Sequence, residues 1–457
     1  MRVHFIAIGG AVMHNLAIAL VNKGYAVTGS DDEIFEPALS NLRNYGILPD
    51  KFGWYPEKIT SDLDAVILGM HAKAGNPELD KAVELGLKIY SFPEYIFQQS
   101  INKTRIVIAG SHGKTTITSM IMHVLKSQGI DFDYLVGAKI EGFDIMVRLS
   151  DAPFIVIEGD EYLTSALDRR PKFLHYKPKI ALISGIAWDH INVFPTFEEY
   201  KEQFQFFIQS IENDGYLIFC DDDKTLSEVV KSSNWGGKVI PYNLLDFETK
   251  DGKTRIILKG DPPKYYPINF FGKHNLLNLS GAKEICKLLG INESDFYQSI
   301  ISFKGAANRL QLVAENEHTT IFKDFAHAPS KLKATVEAVN LQFQHRKLIA
   351  VMELHTYSSL SKNFLAHYRG SMDQADIPVI FFDPAAIALK KLPPIAIEDV
   401  FEGFGNKKLK IFTNPLQLQE FILQQNYVNC NLLLMSSGNF GGLEIMKLAE
   451  KIVTIGK

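Results

Sequence analysis

Ile106-Val107-Ile108-Ala109-Gly110-Ser111-His112-Gly113-Lys114-Thr115-Thr116 decides how this chain is read. Its first four residues form a short apolar run of the kind that makes a buried parallel strand. The stretch Ile117-Thr118-Ser119-Met120-Ile121-Met122-His123-Val124-Leu125 that follows reads as a buried helix. Strand, glycine loop, Lys-Thr and helix together hold a triphosphate. The glycines let backbone N–H groups approach phosphate oxygens, and the helix N-terminus adds a favourable dipole. Lys114 is expected to reach the β- and γ-phosphates, and the Thr115 hydroxyl to take Mg2+. The longer form of this loop has a glycine where this chain has Ile108, so the pattern here is the shorter Gly-x-x-Gly-Lys-Thr. ATP binding is the expectation for Gly110, Ser111, His112, Gly113, Lys114, Thr115 and Thr116.

The chain of 457 residues suggests three domains at roughly 100–200 residues each. A net charge of -4 gives no electrostatic reason to expect nucleic acid. Cys220, Cys286 and Cys430 lie far apart, without pairing or ligand spacing, as in a reducing cytosol. The apolar opening from Phe5 to Leu20 is broken by Gly9-Gly10 and His14-Asn15, and no basic leader or small-residue cleavage site frames it. No run approaches the roughly 20 apolar residues of a membrane-spanning helix. A soluble, cytoplasmic protein is expected, without membrane or nucleic-acid partners.

Three segments follow from the alternation of strands and helices, each expected to be an α/β unit with an open, mostly parallel sheet. The first, residues 1–102, opens with a strand from Val3 to Ile8, a glycine turn and a helix from Val12 to Lys23, and is expected to be Rossmann-like. The second, 103–304, carries the phosphate loop and strands at Phe154–Ile157 and Ile180–Ile183, an arrangement like that of P-loop ATPases. Its charge-rich, Gly- and Pro-punctuated stretch to about Pro267 reads as hairpins at the sheet edge. The third, 305–457, has apolar strand runs at Thr319–Phe322, Leu348–Val351, Val379–Phe382 and Leu432–Met435, again Rossmann-like.

Several constellations sit where ligands gather in such folds, at the carboxyl ends of strands. Gly9-Gly10 occupies the first strand–helix turn, with Asp31 about twenty residues on. Of the Gly-x-Gly-x-x-Gly pattern only the second glycine is met, because Ala7 and Val12 replace the others. The turn suits a diphosphate or a bare tight βα connection, and two glycines do not name the nucleotide. Glu158-Gly159-Asp160-Glu161 ends a strand, and beside Lys114-Thr115 it reads as a Mg2+ site rather than a solvated acidic turn. Trp188-Asp189-His190 ends the next strand, where His190 is either a ligand or an ordinary loop histidine. In Phe271-Gly272-Lys273-His274-Asn275-Leu276-Leu277-Asn278 the two asparagines share a helix face, able to reach a base and ribose or to cap the helix. Asn308-Arg309-Leu310-Gln311 offers a guanidinium for a transferring phosphoryl group, and Lys323-Asp324-Phe325-Ala326-His327-Ala328-Pro329 ends a strand. Surface charge explains this last pair of stretches almost as well.

Taken together, the order and spacing of these motifs resemble the Mur ligases, the ATP-dependent amide-forming enzymes of peptidoglycan assembly. The matching residues are the 110–116 loop, Glu158, Asp189-His190, Gly272-Lys273-His274-Asn275 through Asn278, Arg309, and Asp324 to His327. The opening His4-Phe5-Ile6-Ala7-Ile8-Gly9-Gly10 looks like the branch that acts on UDP-N-acetylmuramate itself. Within that branch, Gly75-Asn76-Pro77, Glu161-Tyr162, the stretch from Arg169 to Tyr176, and Ser436-Ser437-Gly438-Asn439-Phe440-Gly441-Gly442 look more like the murein peptide ligases than the L-alanine-adding synthetases.

The resemblance implies a ligase of peptidoglycan recycling, with ATP and Mg2+ as cofactors. It would join UDP-N-acetylmuramate to the murein-derived peptide L-Ala-γ-D-Glu-meso-diaminopimelate through an acyl phosphate. The alternative is the biosynthetic UDP-N-acetylmuramate–L-alanine ligase. The implied catalytic residues are Lys114, Glu158, His190, Arg309 and His327, with Thr115, Glu158 and His190 as metal ligands. Asn275, Asn278, Arg309 and Asp324 would serve ATP. Gly9, Gly10, Ser30, Asp31 and His71 would serve the UDP-sugar. The chain is expected to be a monomer or weak homodimer.

Three departures stand out. Gln205 falls where several relatives have a carbamylated lysine. His327 stands alone where two histidines are often seen, and Glu353-Leu354-His355-Thr356-Tyr357 follows a strand where an arginine is common. A nicotinamide oxidoreductase would use the first turn and Asp31 but leaves the phosphate loop idle. A non-catalytic UDP-sugar binder would need neither Lys114, Glu158 nor His190.

Overall fold

The computed structural model describes residues 1–188, 193–250, 252–306 and 309–455. The chain divides into two compact units. One comprises Met1–Ile186, Thr196–Asn243 and Gly281–Asn292; the other comprises Ala187–Pro195, Leu244–Ser280 and Glu293–Lys457.

The first unit holds two sheets. Strands β1 (Arg2–Ile6), β2 (Ala26–Ser30), β3 (Ala65–Leu68) and β4 (Ile89–Ser91) form a parallel sheet in the order β2-β1-β3-β4. The run expected to continue through Ile8 stops at Ile6, because Ala7 turns into the left-handed region at φ 67°. That turn sends the chain into the helix Ala11–Asn22, whose residues from Met13 to Leu20 are buried.

The second sheet contains β5 (Thr104–Ala109), β6 (Asp133–Leu135), β7 (Val147–Arg148), β8 (Phe154–Glu158), β9 (Ile180–Ile183), β10 (Tyr216–Cys220) and β11 (Lys238–Tyr242). Their order is β11-β10-β9-β5-β8-β6-β7, parallel except for the β6–β7 pair. Residues 106–109 of β5 are fully buried and flanked by β8 and β9. This explains a continuous apolar run rather than an alternating one. The acidic cluster after β8 and the chain leaving β9 therefore emerge on either side of the phosphate loop.

The second unit holds a three-stranded antiparallel sheet and a six-stranded one. The small sheet is β12 (Phe247–Lys250), β13 (Lys253–Leu258) and β14 (Lys264–Ile268). This corrects the expectation of hairpins at the edge of the central sheet. The middle strand β13 is paired on both sides within its own meander, and the central sheet is extended instead by β11, parallel to β10.

The large sheet is β15 (Gln311–Glu315), β16 (Thr320–Asp324), β17 (Lys347–Leu354), β18 (Ile377–Phe382), β19 (Lys410–Phe412) and β20 (Cys430–Met435), ordered β15-β16-β20-β17-β18-β19. Only β15 runs antiparallel. Along β17, Leu348, Ala350, Met352 and Leu354 enter one core and Ile349 and Val351 the other, the period-2 alternation of a sheet covered on both faces. Among the described residues, no helix is long and apolar enough to cross a membrane.

Candidate functional site

The loop after β5 is shaped by two glycines. Gly110 has φ +122°, and a Cβ there would lie 2.3 Å from Ser184 Oγ and 2.8 Å from Ser184 N. Gly113 precedes the helix Lys114–Ser127 in the left-handed region, at φ 76°. A side chain is therefore excluded at the first position on contact grounds and disfavoured at the second on backbone grounds. The loop is pinned by Ser111 N donating to Gly185 O at 3.0 Å, and the Ser111 and Tyr200 hydroxyls lie 2.8 Å apart.

Each acid of Glu158-Gly159-Asp160-Glu161 takes a different partner. Glu158 accepts from the Thr115 hydroxyl at 2.7 Å and from Gly137 N at 3.0 Å. Asp160 accepts from Lys172 Nζ at 2.5 Å. Glu161 accepts from Lys114 Nζ at 2.6 Å and from the Tyr200 hydroxyl at 3.2 Å. Lys114 also donates to Gly110 O at 2.7 Å. Burial works against the Lys114 ammonium, but Glu161, Asp160 and Glu158 outweigh it and raise its pKa above the ordinary lysine value. Burial likewise works against the Asp160 carboxylate, yet Lys172 and Lys114 hold its pKa down at about 2. Lys114 and Asp160 thus stay charged at neutral pH.

The first turn makes a second cluster in the same unit. Gly9 N donates to Asp31 Oδ2 at 2.7 Å, and Ala7 N and Ile8 N both donate to the carbonyl of buried Ser30. Gly9, Gly10, Asp31 and His71 line an open cavity of about 900 Å3, together with Phe35, Trp54 and Lys139. A neighbouring cavity of about 390 Å3 is lined by Gly10, Ala11 and His71 from the first turn and its facing loop, and by Lys114, Glu158, Asp160 and Lys172. The two cavities share Gly10, Ala11 and His71, so the space at the first turn adjoins the space at the phosphate loop.

Asp31 is almost wholly buried, and its pKa is raised from 3.8 to about 6. Burial is the largest cause and Asp32 adds to it, while the Gly9 N–H opposes both. The folded state therefore binds the proton more tightly than the unfolded chain. This group's contribution to stability is full below pH 4 and is lost as pH rises through about 6. An ionised Asp31 at neutral pH costs stability, on the order of 3 kcal/mol. Asp31→Asn is expected to raise the melting temperature at pH 8, with the gain shrinking toward pH 4. A variant that melts lower than wild type at pH 8 would contradict this account.

In the second unit, Asp324 is buried and accepts from Leu310 N and Ala326 N, each at 2.6 Å. Burial raises its pKa, against the pull of the Leu310 N–H, Arg309 and the Ala326 N–H. Arg309 lies over the Phe325 ring at 4.8 Å, and His327 Nδ1 is 2.8 Å from Phe325 O. These residues converge on one loop after β16. Asn275 donates its side-chain amide to Phe271 O at 2.9 Å, and Asn278 is buried on the same helix. Burial lowers the pKa of neighbouring His274 to about 4, leaving it neutral.

Asp189 and His190 lie outside the described residues, as does Asn308. Gln205 donates to Ser232 Oγ at 2.9 Å. Sequence reasoning missed the pairing of Glu161 with Lys114 and of Lys172 with Asp160. Both carboxylates stood in the quoted cluster, but no spacing rule matches an acid to a lysine across a loop.

A strand–glycine loop–helix with a charged lysine, a hydroxyl beside a carboxylate, and a second strand–helix turn lining the adjoining cavity is the equipment of a nucleotide-using α/β enzyme. Residues 2–102 match the family described as "Mur ligase family, catalytic domain", and residues 108–286 match "Mur ligase middle domain". The chain is 30% identical over 455 residues to the UDP-N-acetylmuramate–L-alanine ligase of Carboxydothermus hydrogenoformans, covering 96% of this chain and 94% of that one. It is 27% identical to the UDP-N-acetylmuramate–L-alanyl-γ-D-glutamyl-meso-2,6-diaminoheptandioate ligase of Haemophilus influenzae, covering 99% of each chain. The crystal structure of a murein peptide ligase from Psychrobacter arcticus shares the fold, with a TM-score of 0.66, 21% identity and 99% coverage of both chains. The chain belongs to the Mur ligase family and is an ATP-dependent amide ligase.

Proposed function

We propose that this enzyme joins the lactyl carboxylate of UDP-N-acetylmuramate to the amine of L-Ala-γ-D-Glu-meso-diaminopimelate, a reaction of peptidoglycan recycling. Residues 1–102 bind the UDP-sugar, 103–304 bind ATP, and 305–457 bind the amino substrate. The observation that carries this reading is the adjoining pair of cavities, one lined by Gly9, Gly10 and Asp31 and the other by Lys114 and Glu158, with Gly10, Ala11 and His71 common to both. A nucleotide sugar seated on the first turn would present its acid to the phosphate loop.

A carboxylate oxygen attacks the γ-phosphorus, ADP leaves with the bonding pair, and the amine nitrogen then displaces phosphate from the carbonyl. Both substrates of the first step are anions, so the protein must neutralise charge and fix alignment. Lys114 and the N–H groups of the 110–116 loop hold the phosphates. The paired oxygens of Thr115 and Glu158 form a hard donor set that fits Mg2+, which would supply further charge neutralisation when bound. Asn275, Asn278 and Asp324 hold the adenosine, Arg309 faces the phosphoryl group, and His327 orients or deprotonates the amine. Gly9, Gly10, Ser30, Asp31 and His71 hold the uridine diphosphate.

A second reading, with L-alanine as the amino substrate, draws on the 30% identity to the Carboxydothermus ligase. Phosphate release from ATP, measured with UDP-N-acetylmuramate and either tripeptide or L-alanine, separates the two. Release that requires the tripeptide supports the recycling ligase. Release with L-alanine and none with tripeptide overturns it.

A further inference from the structure

We propose that Lys172 is the cation that receives the acceptor's carboxylate and holds it in line for phosphoryl transfer. The inference rests on the acceptor chemistry of the preceding section and extends it to a residue outside the phosphate loop.

Charge accounting leads to it. Lys114 sits among three acids at the phosphate loop, and Thr115 and Glu158 are engaged with each other. Neither leaves a positive group dedicated to the carboxylate that must approach the triphosphate. Among the described residues lining the 390 Å3 cavity, Lys172 is the other lysine. Its side chain is 14% exposed, and its Nζ lies 5.6 Å from the Tyr162 ring centroid and 6.0 Å from that of Phe92. Such aromatic faces favour a cation while excluding water.

The backbone fixes its position as well. Lys172 N donates to Tyr162 O at 3.0 Å, and Phe173 N donates to Asp160 O at 3.1 Å. The lysine stretch is thereby laced to the acidic cluster that flanks the phosphate loop. Asp160 takes one of the ammonium's three N–H groups, which leaves donors for a second carboxylate. The phosphate-loop strand β5 lies next to β8, and Asp160 stands two residues beyond the end of β8. Lys172 therefore faces the space between the sugar-side turn and the phosphate loop. In the transfer step the carboxylate oxygen forms its bond to phosphorus and ADP departs, while Lys172 keeps its proton throughout.

A pair serving structure alone would treat every nucleotide sugar alike, and this difference supplies the test. Binding of UDP-N-acetylmuramate and of UDP-N-acetylglucosamine, which has a hydroxyl where the first has the lactyl ether acid, is measured by calorimetry. The proteins are the wild type, Lys172→Met, Lys172→Arg, and the double variant Asp160→Asn/Lys172→Met, which removes both charges and avoids an unpaired carboxylate.

Lys172→Met and the double variant are expected to lose about 10- to 100-fold in affinity for the acid. Their affinity for UDP-N-acetylglucosamine should stay within about 2-fold, and Lys172→Arg should recover most of the loss. KM for the acid should rise more than kcat falls. Equal weakening of both ligands, or of neither, overturns the role of Lys172 while leaving the acceptor assignment standing. A wild-type protein that binds neither nucleotide sugar overturns the acceptor assignment itself, and Lys172 with it.

Discussion

Lys114→Ala should abolish turnover while leaving UDP-sugar binding nearly intact. The ammonium sits at the start of the helix Lys114–Ser127, bound to Gly110 O and Glu161, where a nucleotide's phosphates would draw it away from the carboxylate. Removing a group that neutralises a transferring phosphoryl costs about 10^3-fold or more in kcat. The substitution also strips a buried carboxylate of its cation, because the Glu161 side chain is 1% exposed. Breaking such a pair costs on the order of 3–5 kcal/mol, so the variant should also melt lower. The second change Glu161→Gln separates the two effects. The double variant should regain most of the melting temperature and none of the turnover. Restored turnover, or UDP-sugar affinity lost together with activity, would contradict the assignment of Lys114 to the phosphates.

Glu158→Gln should lower kcat by about 10^2- to 10^3-fold and raise the Mg2+ concentration needed for half-maximal rate by about 10-fold. The amide retains an oxygen that can accept the Gly137 N–H, so the loop 3.0 Å away should hold. What is lost is the negative charge beside the Thr115 hydroxyl, the half of the donor set that a hard divalent cation needs most. A titration of rate against Mg2+ reads this directly. An unchanged Mg2+ requirement with kcat within about 3-fold of wild type would move the metal away from Glu158.

The elements that the sequence disclosed are those set by local physics. The apolar run of β5, the two loop glycines and the helix behind them are a contiguous pattern in which each residue's reason is its neighbour. The same holds for Gly9-Gly10 and the helix from Ala11. What stayed hidden depends on residues far apart in the chain. Glu158, Asp160 and Glu161 looked interchangeable, and only the fold assigns them to Thr115, Lys172 and Lys114.

Tyr200, 89 residues beyond Ser111, carries no signal that it will meet Ser111 and Glu161. Nor does Lys139 announce that it will line the cavity at the first turn. β15 escaped notice because none of its residues is buried, and it is bulged between Leu312 and Ala314 and antiparallel in an otherwise parallel sheet. The hairpins between 247 and 268 were visible as hairpins, but not that they form a sheet of their own, since that depends on which strands of the central sheet are already paired.

The central claim is that the chain activates a carboxylate by phosphoryl transfer and passes it to a peptide amine. The most direct measurement is a mass spectrum of the reaction run with ATP, Mg2+, the tripeptide, and UDP-N-acetylmuramate carrying 18O in both oxygens of its lactyl carboxylate. The account expects one 18O in each phosphate released, the other retained in the amide, and a product with the mass of the UDP-sugar joined to the tripeptide. Unlabelled phosphate, or a tripeptide recovered unchanged, would contradict it.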